Sequence, residues 1–138
     1  MSTDLVTVDL QKVFGKIAEV LPAFPAVAGA YLFGSSRGPC RPDSDLDLGL
    51  ILFAPREDEL HLEAHLEAAL GAVDGHPFSV LTLRPGYFAW KAIRGGELCY
   101  EKDDRVVTDF IEKTALLHED DAHALAIFHA ARREGLRA

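Results

Sequence analysis

The stretch Phe33-Gly34-Ser35-Ser36-Arg37-Gly38-Pro39-Cys40-Arg41-Pro42-Asp43-Ser44-Asp45-Leu46-Asp47-Leu48 constrains this chain more than any other. An apolar run from Val27 ends at Gly34-Ser35, a polar loop follows, and Ser44-Asp45-Leu46-Asp47-Leu48 opens a second apolar run. The pattern predicts two short buried strands, Val27 to Phe33 and Leu46 to Phe53, joined by that loop. Residues two apart on a strand share a face, so Asp45 and Asp47 are expected to project together, roughly 7 Å apart along the backbone. Leu46 and Leu48 then point into the core and hold the pair. Two carboxylates so placed can lean onto one Mg²⁺, or onto two ions about 4 Å apart.

The residues around the pair suit an anionic ligand. Gly34 lets a backbone approach a ligand closely, and Ser35 offers a hydroxyl and amides to phosphate oxygens. Arg37 and Arg41 lie in the same loop and carry charge that could offset a triphosphate. Gly34, Ser35, Ser36, Arg37 and Ser44 are therefore the candidate nucleotide-binding residues, and Asp45 and Asp47 the candidate metal-binding and catalytic ones. Alone, Asp-Ser-Asp is ordinary turn chemistry and Gly-Ser-Ser-Arg-Gly a flexible turn. The combination, in this order between two strands, carries the functional reading.

The rest of the chain alternates helix and strand. Leu10, Val13, Phe14, Ile17, Val20 and Leu21 recur at helical spacing before Pro22 and Pro25. A further helix carries Leu62, Leu66, Ala69, Leu70 and Val73 on one face and acids on the other. Phe78 to Leu83 reads as a strand, and Pro85-Gly86 turns into a short helix with Tyr87, Phe88, Trp90 and Ile93, ended by Gly95-Gly96. Leu98 to Tyr100 reads as a small edge strand. From about residue 104 the chain reads as two helical pieces broken near His118 to Asp121. Helices alternating with few short strands predict an α/β or α+β domain with a small mixed sheet.

Length and charge narrow the function classes. A chain of 138 residues fits one domain. Its net charge of -8 disfavours direct DNA binding, which gains affinity from basic patches. A nucleotide is still compatible, because one metal ion and a few arginines decide a phosphate site. Cys40 and Cys99 have no metal-like spacing, the N-terminus lacks a leader pattern, and no apolar run is long enough to span a bilayer. A cytoplasmic protein is expected.

Other clusters have plainer explanations. His61 and His65 stand four apart, a zinc spacing, but with no third ligand they read as solvated helix surface. Glu119-Asp120-Asp121 beside His118 and His123 reads as an acidic helix start. Tyr87, Phe88 and Trp90 read first as core packing and second as a partner surface. Leu125, Ile127, Phe128 and Leu136, with Arg132, Arg133 and Arg137, read as a terminal helix folded back onto the domain or docking a partner.

With these residues laid out, the chain resembles the minimal nucleotidyltransferases, the MNT-domain group of the DNA polymerase beta-like superfamily, whose pattern is Gly-Ser, a loop, then Ser-Asp-x-Asp-Leu. The likeness extends through Val80 to Tyr100, with Leu83-Arg84, a short helix and Gly96-Glu97-Leu98-Cys99-Tyr100. It implies an α/β nucleotidyltransferase fold over residues 1–138, a small mixed β-sheet flanked by α-helices, with a helical extension from about 104. It also implies that Gly34 and Ser35 cradle the phosphates of ATP, that Asp45 and Asp47 bind Mg²⁺, and that AMP passes to a hydroxyl of a HEPN-domain ribonuclease toxin. The family's third carboxylate falls at Ser79, and neither Asp74 nor Glu97 is an evident substitute. A non-enzymatic antitoxin that neutralises its partner by contact is the alternative this departure favours. A transferase acting on a small molecule such as an aminoglycoside fits less well, because the chain leaves little room for a second substrate domain.

Overall fold

The computed structural model describes residues 4–118. The first helix, α1 (Leu10–Val20), starts at Asp9, whose carboxylate accepts the Gln11 N–H at 3.1 Å. Val13 and Ile17 turn inward, and the helix tightens into a 3-10 turn over Leu21–Ala23, where Pro22 removes a donor. Strand β1 (Val27–Phe33) is buried at every residue but Phe33, and β2 (Leu46–Leu52) at every residue but Asp47 and Leu52. Both read as continuous apolar runs because helices cover both faces of the sheet. Helix α2 (Glu59–Leu70), the two-residue strand β3 (Ala72–Val73) and β4 (His76–Thr82) follow. Then come α3 (Tyr87–Gly95), β5 (Glu97–Glu101) and α4 (Asp104–His118).

The sheet has five strands in the order β3-β4-β2-β1-β5. β2 and β4 are parallel, joined by α2, and the other neighbours are antiparallel. On one face, Ala30, Leu32, Leu46, Leu48, Leu50, Phe78 and Val80 join the cluster that contains Val13 and Ile17 of α1 and Leu62, Leu66 and Leu70 of α2. On the other, Ala28, Tyr31 and Ile51 meet Trp90 and Ile93 of α3 and Val107 and Ile111 of α4. The small mixed sheet flanked by helices is therefore as expected, and Leu46 and Leu48 are fully buried. The expected acidic helix start at Glu119 and the terminal helix carrying Leu125 to Arg137 lie outside the described residues. Among the described residues, no helix is long and apolar enough to cross a membrane.

Two expectations about α2 need correction. Val73 does not continue the helix: Gly71, at φ 66°, ends it, and Val73 belongs to a hairpin turned by Asp74 (φ 50°) and Gly75 (φ 85°). An Asp-Gly pair with both φ values positive suits the twist of a two-residue hairpin. The acids of α2 are also not a uniformly solvated face. β3 covers only the start of the outer edge of β4, and beyond it Glu67 accepts the Val80 N–H and Glu63 the Thr82 N–H, each at 2.8 Å. One turn earlier, the buried Glu59 pairs with Arg84. Glutamates four apart on a helix thus meet donors two apart on a strand, and the side chains continue the ladder where backbone partners run out.

Removing one of these caps leaves a donor that is partly buried and unsatisfied. Glu67→Ala is expected to lower the unfolding free energy by about 1–3 kcal/mol. The same change at the exposed Glu19 of α1 is expected to alter it by less than about 0.5 kcal/mol. Urea unfolding of Glu67→Ala and Glu19→Ala checks this, and equal losses would contradict the capping role.

Candidate active site

The loop between β1 and β2 turns on Gly34. Its φ is 90°, and a Cβ there would collide with the carboxylate of Asp47. An L side chain there would be strained by conformation and would have to displace the Asp47 carboxylate. Ser35–Arg37 forms a 3-10 turn directly after it. Ser35 is exposed, whereas Ser36, expected beside it as a nucleotide-binding residue, is buried at 1% exposure and its hydroxyl has no hydrogen-bond partner. The loop is tied down further on, where Val6 and Cys40 exchange backbone hydrogen bonds of 2.8 and 2.9 Å.

The two loop arginines are already engaged. Arg37 donates to the Gly95 carbonyl at the end of α3 and to Glu97 at 3.2 Å. Arg41 pairs with Asp43 at 3.3 Å, with both side chains well exposed. The second contact is weak by its exposure, so Arg41 is the more easily diverted to an incoming anion.

Asp45 precedes the first residue of β2 and is exposed, while Asp47 lies within the strand and is half-buried. The Asp47 carboxyl pKa is raised from its ordinary value, first by burial and second by the charge of Asp45. A divalent cation would relieve the repulsion between two such neighbouring carboxylates. Mg²⁺ takes one or two carboxylates and fills its remaining positions with phosphate oxygens and water, so this donor set fits that ion.

The third position is Ser79. In the parallel pairing of β2 with β4, Asp47 stands beside Ser79, so their side chains share a face. Neither nearby acid takes its place. Asp74 sits in the hairpin turn and pairs with Lys12 at 3.2 Å. Glu97 is opposite Leu32 on β1, whereas Asp47 is opposite Phe33, so Glu97 leaves the sheet on the other face, toward Arg37. Among the described residues, no group of three or more His, Cys, Asp or Glu is placed to hold a metal.

Some neighbours of the site were not singled out from the sequence. His76, 4% exposed, bonds through Nδ1 to the Ser44 carbonyl at 2.7 Å. Phe33, across from Asp47, meets the Phe88 ring edge-on with centroids 5.8 Å apart. Core packing holds for Trp90 but not for Tyr87 and Phe88, which are 64% and 56% exposed. The rings of His61 and His65 lie 5.5 Å apart on the exposed side of α2, as a solvated helix surface. A cleft of about 350 Å³ opens at the opposite end of β2 and β4, lined by Phe53, Leu83, Arg84 and Phe110 among others, and does not include the carboxylate pair.

Comparison with known proteins bears on the fold and the family. Residues 15–105 match the family described as Polymerase beta, Nucleotidyltransferase. No protein of curated function matches the sequence. Among solved structures, a chain of the MntA toxin–antitoxin complex carrying two aspartate-to-glutamate substitutions is similar at 18% identity and a TM-score of 0.56, over 85% of this chain and 96% of that one. A chain of the tri-AMPylated Shewanella oneidensis HEPN toxin in complex with MNT antitoxin is similar at 18% identity and a TM-score of 0.54, covering 87% and 96%. A third, from a toxin–antitoxin structure with AMP-PNP, has 18% identity and a TM-score of 0.55, covering 85% and 96%. At that identity the structural likeness shows the fold alone. The family match spans well over half of the chain and contains the whole Gly34-to-Asp47 segment, so this protein belongs to the polymerase beta nucleotidyltransferase family.

Proposed function

We infer that the chain is an MNT-type antitoxin that binds ATP with Mg²⁺ at Gly34, Ser35, Asp45 and Asp47 and passes AMP to a hydroxyl of a HEPN-domain toxin. The observation that carries this reading is the carboxylate of Asp47 held over Gly34, beside Asp45 and next to an exposed Gly-Ser turn. Structures similar to this chain include a complex with an AMPylated HEPN toxin and one with AMP-PNP, which supports the choice of partner and nucleotide.

The chain's own groups divide the work. The amides after Gly34 and the Ser35 hydroxyl bind phosphate oxygens, and Asp45 and Asp47 hold the metal. Bound Mg²⁺ supplies charge neutralisation at the phosphates and orients them for in-line attack. The acceptor oxygen then bonds to the α-phosphorus, the bond to pyrophosphate breaks, pyrophosphate leaves, and the hydroxyl proton passes to solvent water. Ser79 is poorly suited to receive that proton, because a serine hydroxyl is a weak base and a weak neutral ligand.

That one residue favours a second reading, a binding antitoxin with a decayed transfer site. Two experiments separate them. Intact mass of the partner after incubation with this chain, ATP and Mg²⁺ is expected to show added AMP, absent with Asp45→Asn. In the same assay Ser79→Asp is expected to raise the rate by about 10²-fold or more. An unmodified partner that still binds, with adducts only from Ser79→Asp, would establish the decayed site. An unmodified partner with both proteins would refute transfer outright.

The carboxylate pair also has a pH signature. Asp47 has a folded pKa above the ordinary 3.8, so the folded state holds its proton longer than the unfolded state. Its contribution to stability is fully present below 3.8 and is lost as pH rises through the folded value. Without divalent ions, Asp47→Asn is expected to be more stable than the parent near neutral pH, and the gap should close on acidification. Thermal unfolding against pH checks this, and a gap that widens on acidification would contradict it.

A further inference from the structure

Asp45 stands outside the ladder that fixes Asp47. The last in-register pair of β2 with β4 is Leu46 with Phe78, and β2 itself begins at Leu46. Asp45 therefore lies just before the ladder, with its side chain exposed. Continued back by two positions, the same register brings Ser44, in the loop, alongside His76, the first residue of β4. There a side chain takes over from the missing ladder bond: His76 Nδ1 lies 2.7 Å from the Ser44 carbonyl oxygen. A carbonyl only accepts, so Nδ1 carries the hydrogen and donates it. The ring is 4% exposed, which removes competing water from the bond. The Ser44 N–H is held as well, by the Arg41 carbonyl at 3.0 Å. Both backbone polar groups of Ser44 are thus fixed, and the peptide entering Asp45 is fixed with them.

We propose that His76 is a positioning residue for Asp45: by holding the Ser44 carbonyl it extends the register of β2 by two residues and keeps the Asp45 carboxylate on the face of Asp47. The consequence for metal and nucleotide rests on the function proposed above, but the positioning does not. His76 touches neither ligand in this scheme and acts through the backbone. An outer-shell group of this kind is worth about 10–100-fold in metal affinity.

Two variants separate the hydrogen bond from the bulk of the ring. In His76→Asn the amide nitrogen occupies the place of Nδ1 and can donate to the same carbonyl, whereas His76→Leu fills the space and donates nothing. In the metal-free protein, backbone ¹⁵N relaxation is expected to show Ser44 and Asp45 ordered in the parent and in His76→Asn, and mobile in His76→Leu. Equal order in all three would overturn the proposal. Manganese–ATP affinity, followed by the resonance of free Mn²⁺, is expected to fall about tenfold in His76→Leu and to stay near the parent value in His76→Asn. With Asp45→Asn already present, His76→Leu should cost nothing further, because both changes act at one point. An equal loss from His76→Leu in both backgrounds marks a general structural role and overturns the proposal. A parent protein that fails to bind manganese–ATP refutes the functional reading alone, and the relaxation data still decide the positioning.

Discussion

A carboxylate packed against a glycine organises this molecule. The side chain of Asp47 lies where a Cβ of Gly34 would have to be, and Gly34 itself has a φ that side-chain-bearing residues rarely adopt. The contact joins the end of β1 to the start of β2, whose Phe33–Asp47 pairing is the last rung of that ladder. It also keeps Asp47 half-buried beside Asp45, an arrangement that raises the Asp47 pKa. The turn that follows stays exposed at Ser35 while Ser36 is buried and Arg37 is tied to α3 and β5. The geometry of the loop and the chemistry offered to a ligand are consequences of one close approach.

The remainder of the fold serves to hold that corner still. The parallel pairing of β2 and β4 sets Ser79 beside Asp47, and the crossover helix α2 secures the far edge of β4 with Glu63 and Glu67. The same strand begins with His76, which reaches back to the loop at Ser44. β4 is thus the scaffold of the site as well as its neighbour. Its serine is the residue on which the proposed function divides between transfer and binding alone, because the surrounding frame is otherwise that of a nucleotidyltransferase.

Much of this is legible in the sequence because it is local. Strand periodicity, the Gly-Ser turn and the two-residue spacing of Asp45 and Asp47 all act within a few residues, and β1, β2 and the burial of Leu46 and Leu48 follow from them. What escapes depends on partners distant in the chain. The glutamates of α2 read as a solvated face because nothing in a helical pattern tells which strand edge lies beside it. His76 lies 32 positions from Ser44, so its role is invisible to spacing. Tyr87 and Phe88 share a short helix with Trp90, and only the packed structure separates the buried ring from the exposed ones. The hairpin at Asp74-Gly75 has a readable turn signal, but its first strand is two residues long and merges with the helical pattern before it.

The central claim of the proposed function is that Asp47, set against Gly34, and Asp45 beside it form a metal-dependent nucleotide site. Calorimetric titration of the purified chain with ATP, with and without Mg²⁺, tests it without reference to any partner or to turnover. Saturable binding that requires Mg²⁺ is the result expected. The absence of binding at millimolar ATP with Mg²⁺ present, or binding of equal strength without the metal, would contradict it.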